Sequence, residues 1–147
     1  MKIILYTYFF VISSVLQAQS FGQNKVQYRD FEWSYISSPN FDVYYYGDEL
    51  DLATFTMEAA NEAYEQIGKH LRWTLKKRVP ILVYHSHNEF QQNNAVGVYM
   101  SEGIGGVTEL FKNRVVIPFE GDYKAFRHVI HHELVHAMIN DLIYGGR

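Results

Sequence analysis

The sequence predicts an α+β domain in which a small mixed sheet packs on two long helices. Two observations lead there. Two stretches, 49–71 and 122–144, carry apolar side chains at three- and four-residue spacing, as helices with a buried face do. Around them run short segments that alternate or are wholly apolar, as strands do. The order along the chain is strand, strand, helix, strand, hairpin, helix, with no internal repeat.

The bulk numbers agree with one folded domain. The chain has 147 residues, 48% hydrophobic and 20% charged, enough to bury a core and too apolar for disorder. Its 12 Tyr and 10 Phe suit sheets and half-buried surfaces. A net charge of −3 gives no basic footprint for nucleic acid. The absence of cysteine excludes disulfides and thiolate metal sites.

"MKIILYTYFFVISSVLQAQS" opens with Lys2, continues apolar from Ile3 to Leu16, and reaches the small residue Ala18. That is the pattern of a secretory signal, so residues 1–18 are expected to be removed and the protein exported to the periplasm or cell envelope. The apolar run is short for a transmembrane span, and no stable span is expected after cleavage.

The elements follow in order. Val26–Tyr35 alternates in part, with Phe31, Trp33 and Tyr35 on one face. Ser37-Ser38-Pro39-Asn40 is a turn. Phe41, Val43 and Tyr45 then alternate with Asp42, Tyr44 and Tyr46 as a strand. "ELDLATFTMEAANEAYEQIGKHL" is a helix whose stripe is Leu52, Phe55, Ala59, Ala63, Ile67 and Leu71, with Glu58, Glu62 and Glu65 solvated opposite. "RVPILVYHS" is a largely buried strand that places His85 and His87 on one face of its end. Residues 87–106 form a polar, glycine-rich loop with one short element. Gly106–Phe111 and Arg114–Phe119 make a hairpin around Lys112-Asn113. The last helix begins at Asp122, an N-cap, and ends at Tyr144 before Gly145.

The chemistry lies in that helix. "FRHVIHHELVHAMIN" contains His132-Glu133-Leu134-Val135-His136, an H-E-x-x-H. Helical residues four apart lie only about 40° apart around the axis, so two imidazoles can share one zinc ion. Glu133, about 100° further round, sits beside the ligands, where it can take a proton from a metal-held water as general base. Chance supplies such a motif only about 0.02 times in a chain of this composition. His128 lies on the same face, but His128 and His136 are separated by about 12 Å of helix axis, too far to share one ion. His131 points elsewhere, and His85 and His87 read most simply as a polar strand end. Beyond Lys124, Arg127, His131 and Asp141 the helix has little charge, which predicts a buried central helix.

A catalytic zinc takes three protein ligands and an open position, and the sequence offers two. The extended metzincin pattern fails, with Ile139 in place of its glycine and Leu142 in place of its third histidine.

"VIHHELVHAM", the hairpin before it and the export signal resemble the gluzincin metallopeptidases, in their peptidase MA-like group. With "FGQNKVQYRDFEWSYI", "FDVYYY" and "GIGGVTELFKNRVVIPFEG", the likeness is to the peptidase-like N-terminal region of exported bacterial proteins that continue into a TolB-like β-propeller. The resemblance covers nearly all of residues 19–147. It implies a zincin-like subdomain, a peptide or protein substrate, His132 and His136 as zinc ligands, and Glu133 as general base. It also implies a third ligand from a helix beyond Arg147, so that 19–147 is the first part of a larger peptidase domain and is inactive by itself. The "GAMEN" of aminopeptidase relatives is absent. By the same comparison Gly105–Leu110 is the edge that pairs with extended substrate, its glycines admitting the peptide backbone. The reading from another class is a non-catalytic binding or scaffold module of the envelope built on a peptidase-derived fold.

Overall fold

A computed structural model describes residues 30–92 and 105–145. Residues 1–18, read above as an export signal, lie outside them. In chain order the elements are β1 (Trp33–Ser37), β2 (Phe41–Tyr46), α1 (Leu50–Leu71), β3 (Val79–Tyr84), α2 (His87–Phe90), β4 (Val107–Glu109), β5 (Arg114–Pro118) and α3 (Tyr123–Tyr144). The predicted α+β class and its two long helices are present.

The strands form one mixed sheet in the order β1-β2-β3-β5-β4. Its centre is parallel: β2 pairs with β3, and β3 with β5. The two edges are antiparallel, β1 on β2 and β4 on β5. The parallel centre explains why β3 and β5 are almost continuously apolar. Parallel strands are covered on both faces, so alternation fades.

Alternate residues still sort the faces. Phe41 and Val43, Val79, Ile81 and Val83, and Val115 and Ile117 are all fully buried under the helices. Against them α1 brings Leu52, Ala53, Ala59, Ala60, Ala63 and Ile67, and α3 brings Phe126, Ile130, Leu134, Ala137 and Met138. Each fully buried aliphatic or Phe side chain stabilises the fold by roughly 1.5–3 kcal/mol, so this cluster is the main source of cohesion. The alanines of α1 let the two helices approach closely. The opposite face carries Tyr46, Tyr84 and Val116, capped by Phe90 of α2 and by Phe31. Trp33 stands edge-on to both Tyr46 and Tyr84 there.

Three expectations change. The first strand begins at Trp33 and runs to Ser37, two residues beyond the predicted end, because its register against Tyr46–Asp42 extends pairing to the turn. His87 is not on the strand: β3 stops at Tyr84, and Ser86 caps one helical turn by accepting the Glu89 N–H. The last helix is not buried all round. Ile139, Leu142, Ile143 and Tyr144 are exposed, because α1 and the sheet cover only one side of it.

Candidate metal centre

α3 is set in place from both ends. Asp122 caps it, its Oδ1 accepting from the N–H groups of Lys124 (2.8 Å) and Ala125 (3.1 Å). Near the C-terminus the Asn140 amide donates to the Leu110 carbonyl (2.8 Å) and to Asn113 Oδ1 (3.0 Å), fastening the helix to the β4–β5 turn. Asp141 accepts from the Trp73 indole (2.9 Å) and the Lys76 N–H (3.0 Å), fastening it to the segment between α1 and β3. Asp141 is buried, its carboxylate held by these two donors. Arg127 pairs with Glu62 across the two helices and lies over the Phe55 ring.

On this fixed helix His132 and His136 both reach the exposed face, while Glu133 is buried. The two histidines converge: their Nε2 atoms are 3.2 Å apart and their rings are near perpendicular. Two ligand nitrogens on a tetrahedral zinc at 2.0–2.1 Å stand about 3.3 Å apart, close to the separation of this pair. The same spacing accommodates an N–H···N hydrogen bond between one ring's proton and the other's lone pair. His128 is exposed on the same stripe, and His131 is half-buried. Among the described residues no three His, Asp or Glu side chains gather as a metal site, so the donor set there stops at two.

Glu133 points to the sheet. Its Oε2 accepts from the Thr108 hydroxyl at 2.7 Å, and the same hydroxyl lies 3.0 Å from the Glu133 carbonyl oxygen. Thr108 belongs to β4, the edge strand beside α3. The general-base candidate is thus tied to the strand expected to meet substrate. The expected use of the glycines is different. A Cβ on Gly106 would stand 2.7 Å from Ile117 Cγ2 and 3.0 Å from both Glu133 Cγ and Val129 Cγ1, and one on Gly105 would stand 3.0 Å from Val129 Cγ2. Their missing side chains admit α3 to the strand.

Thr108 is the residue that sequence reasoning missed. Its signal was a hydroxyl at the middle of the short stretch Val107-Thr108-Glu109. That signal has meaning only once β4 is placed against α3.

A second polar cluster sits at the far end of β3. Tyr46 donates to Glu89 Oε2 at 2.6 Å, accepts the His85 N–H at 2.9 Å, and stacks on the His85 ring. His87 Nδ1 lies 3.4 Å from Glu120 Oε1. Burial, reinforced by the hydrogen bond to Glu89, pushes the Tyr46 phenol well above its usual range, and burial also raises Tyr84. These groups tie β2, β3 and α2 together; neither His85 nor His87 is brought to the His132–His136 pair.

No helix among the described residues is long and apolar enough to cross a membrane. No family model, no curated protein and no solved structure matches the chain.

Proposed function

We propose that this chain carries a zinc-dependent peptidase site, exported to the periplasm or envelope. The observation that supports it best is the convergence of two exposed imidazoles at 3.2 Å with a buried glutamate between them in sequence. His132 and His136 would hold the metal through Nε2. Zinc supplies Lewis acidity, activating water and polarising a carbonyl. Glu133 takes the proton from the attacking water and returns it to the leaving amine. Thr108 fixes the Glu133 carboxylate by its hydroxyl hydrogen. β4, at the sheet edge, lines up an extended peptide by strand addition. A third ligand comes from outside the described residues.

The test is Glu133→Gln in the full natural polypeptide. Zinc content should be unchanged while peptide hydrolysis falls by about 10²–10⁴, the usual worth of a positioned base. Turnover equal to the parent's would sink the mechanism. A second reading, a non-catalytic binding module of the envelope, is favoured by one observation: the donor set of the described residues ends at two. Zinc-loaded polypeptide that cleaves no member of a mixed peptide library would establish that reading in place of the first.

A further inference from the structure

We infer that the end of the molecule where both long helices finish docks on an anionic membrane surface. The β4–β5 turn enters the bilayer with Leu110 and Phe111, while Lys77, Arg78 and Lys112 hold lipid phosphates. This is independent of the metal reading.

Hydrogen bonds gather several elements at that end. The Trp73 indole, just past α1, and the Lys76 N–H both reach Asp141 near the end of α3. Asn140 reaches the β4–β5 turn through Leu110 and Asn113. Arg78, at the entry to β3, reaches Asp42 of β2. The opposite end holds both helix starts, where the Phe55 and Tyr123 rings meet.

Charge is divided between these ends. The chain as a whole carries −3. Yet Lys69 and Arg72 close α1, and Lys76, Lys77 and Arg78 lead into β3, all exposed. Exposed Lys112 and half-buried Arg114 lie at the β4–β5 turn and its exit. The acids there are already engaged: Asp42 by Arg78, Glu109 by Arg114, and Asp141 by its two N–H donors. Exposed Asp48, Glu49, Asp51, Glu120 and Asp122 sit at the other end. Helix dipoles favour cations at helix C-termini, which accounts for Lys69 and Arg72. They do not account for Lys77 or Lys112, which lie on no helix.

The apolar part stands among these cations. Phe111 is 96% exposed and Leu110 58% exposed. With Tyr144 they border a hollow of about 250 Å³ whose other walls include Lys77, Arg78 and Lys112. Neighbouring apolar side chains left in water mark an interaction site, and a ring of cations about them is the composition of a membrane-interface segment. Lipid phosphates satisfy the cations, and the acyl boundary takes the apolar tip. A nucleic acid could stack on Phe111 but would leave Leu110 in water.

Cosedimentation of the full chain with vesicles tests this, comparing pure phosphatidylcholine with a mixture containing one-third phosphatidylglycerol. The stretch Ile3–Leu16 is uncharged, so the difference between the two vesicles reads the docking end. The affinity for anionic vesicles should exceed that for neutral ones at least tenfold, a difference lost in half-molar salt. Lys77→Glu combined with Lys112→Glu should abolish the difference. Phe111→Ser should weaken anionic-vesicle binding about tenfold with every charge intact. Lys124→Glu, at the other end, should bind as the parent does. All these side chains are exposed, and an unchanged circular dichroism spectrum will show that the fold survives. Equal affinity for the two vesicles would overturn the inference, as would full binding by the charge-reversed or Phe111 variant. Binding to a DNA duplex that is tighter than to anionic vesicles and indifferent to Phe111→Ser would assign this end to nucleic acid instead. Each of those failures leaves the metal reading untouched.

Discussion

Glu133 is a buried carboxylate whose orientation depends on one hydroxyl hydrogen. The Thr108 Oγ1 can donate to Oε2 at 2.7 Å or to the main-chain oxygen at 3.0 Å, and the shorter contact is to the charged group. Hydrogen bonds to charged groups contribute about 1.5–3 kcal/mol. Thr108→Val keeps the shape and removes the donor. It should lower the urea midpoint by a corresponding amount and, on the proposed peptidase reading, slow hydrolysis while leaving zinc content alone. A variant with both stability and turnover of the parent would show that Thr108 holds nothing. Gly106 lies against the stem of the same side chain. Gly106→Ala forces a Cβ to within 2.7 Å of Ile117 and 3.0 Å of Glu133 Cγ, an overpacking that costs about 1–3 kcal/mol. Gly105→Ala meets only the end of Val129 and should cost less; thermal melts of the two variants give the order. At this scale the convergence of His132 and His136 with Glu133 beside them was legible, because helical periodicity alone places them. Thr108 was not. It lies 25 residues away in sequence, and only the pairing of β4 beside β5 brings it under the helix.

α3 acts as a clamp, and its most constrained part is the consecutive pair Asn140-Asp141. The two side chains fasten different neighbours, Asn140 the β4–β5 turn and Asp141 the strand-entry segment before β3. Loss of each has a different signature. Asn140→Ala releases the Leu110 carbonyl and Asn113, the residue that closes the turn at φ 48°. Asp141→Ala strands two donors, the Trp73 indole N–H and the Lys76 N–H, where leaving a group unsatisfied costs about 1–3 kcal/mol. Hydrogen exchange should therefore quicken at the β4–β5 turn in the first variant and at Lys76 in the second. Equal protection at Lys76 in both would refute the division. The elements themselves were largely legible: α1 from its stripe, α3 from its Asp122 cap, and the hairpin from Lys112-Asn113. Their pairing was not. Nothing local in "RVPILVYHS" states that it lies between β2 and β5 with both neighbours parallel. The exposed apolar run at the end of α3 was likewise misread as buried, since composition cannot say which side of a helix finds a partner.

The two faces of the sheet differ in more than their cover. The helix-covered face is aliphatic and holds the fold together, while the far face carries phenols whose ionisation couples the fold to pH. Tyr46 and Tyr84 are both pushed above the usual phenol value of about 10, chiefly by burial. Below that value both phenols are protonated in the folded and unfolded chain alike, and their contribution is complete. As pH climbs past about 10 the unfolded chain gives up protons that the folded one keeps, so stability falls. Acid works through the opposite sign. The Ser37 hydroxyl and then Arg78 hold Asp42 below the usual carboxylate range, so its contribution is present above the unfolded value of about 4 and fades as pH falls through the folded one. Tyr46→Phe separates packing from ionisation. It removes the hydrogen bond given to Glu89 and the one accepted from the His85 N–H, so the variant should be less stable at neutral pH. It also removes a raised phenol, so its urea midpoint should fall less steeply than the parent's between about pH 9.5 and 11. Parallel curves for the two proteins across that window would mean that Tyr46 stabilises by shape alone, and that the alkaline limit of this fold is set elsewhere.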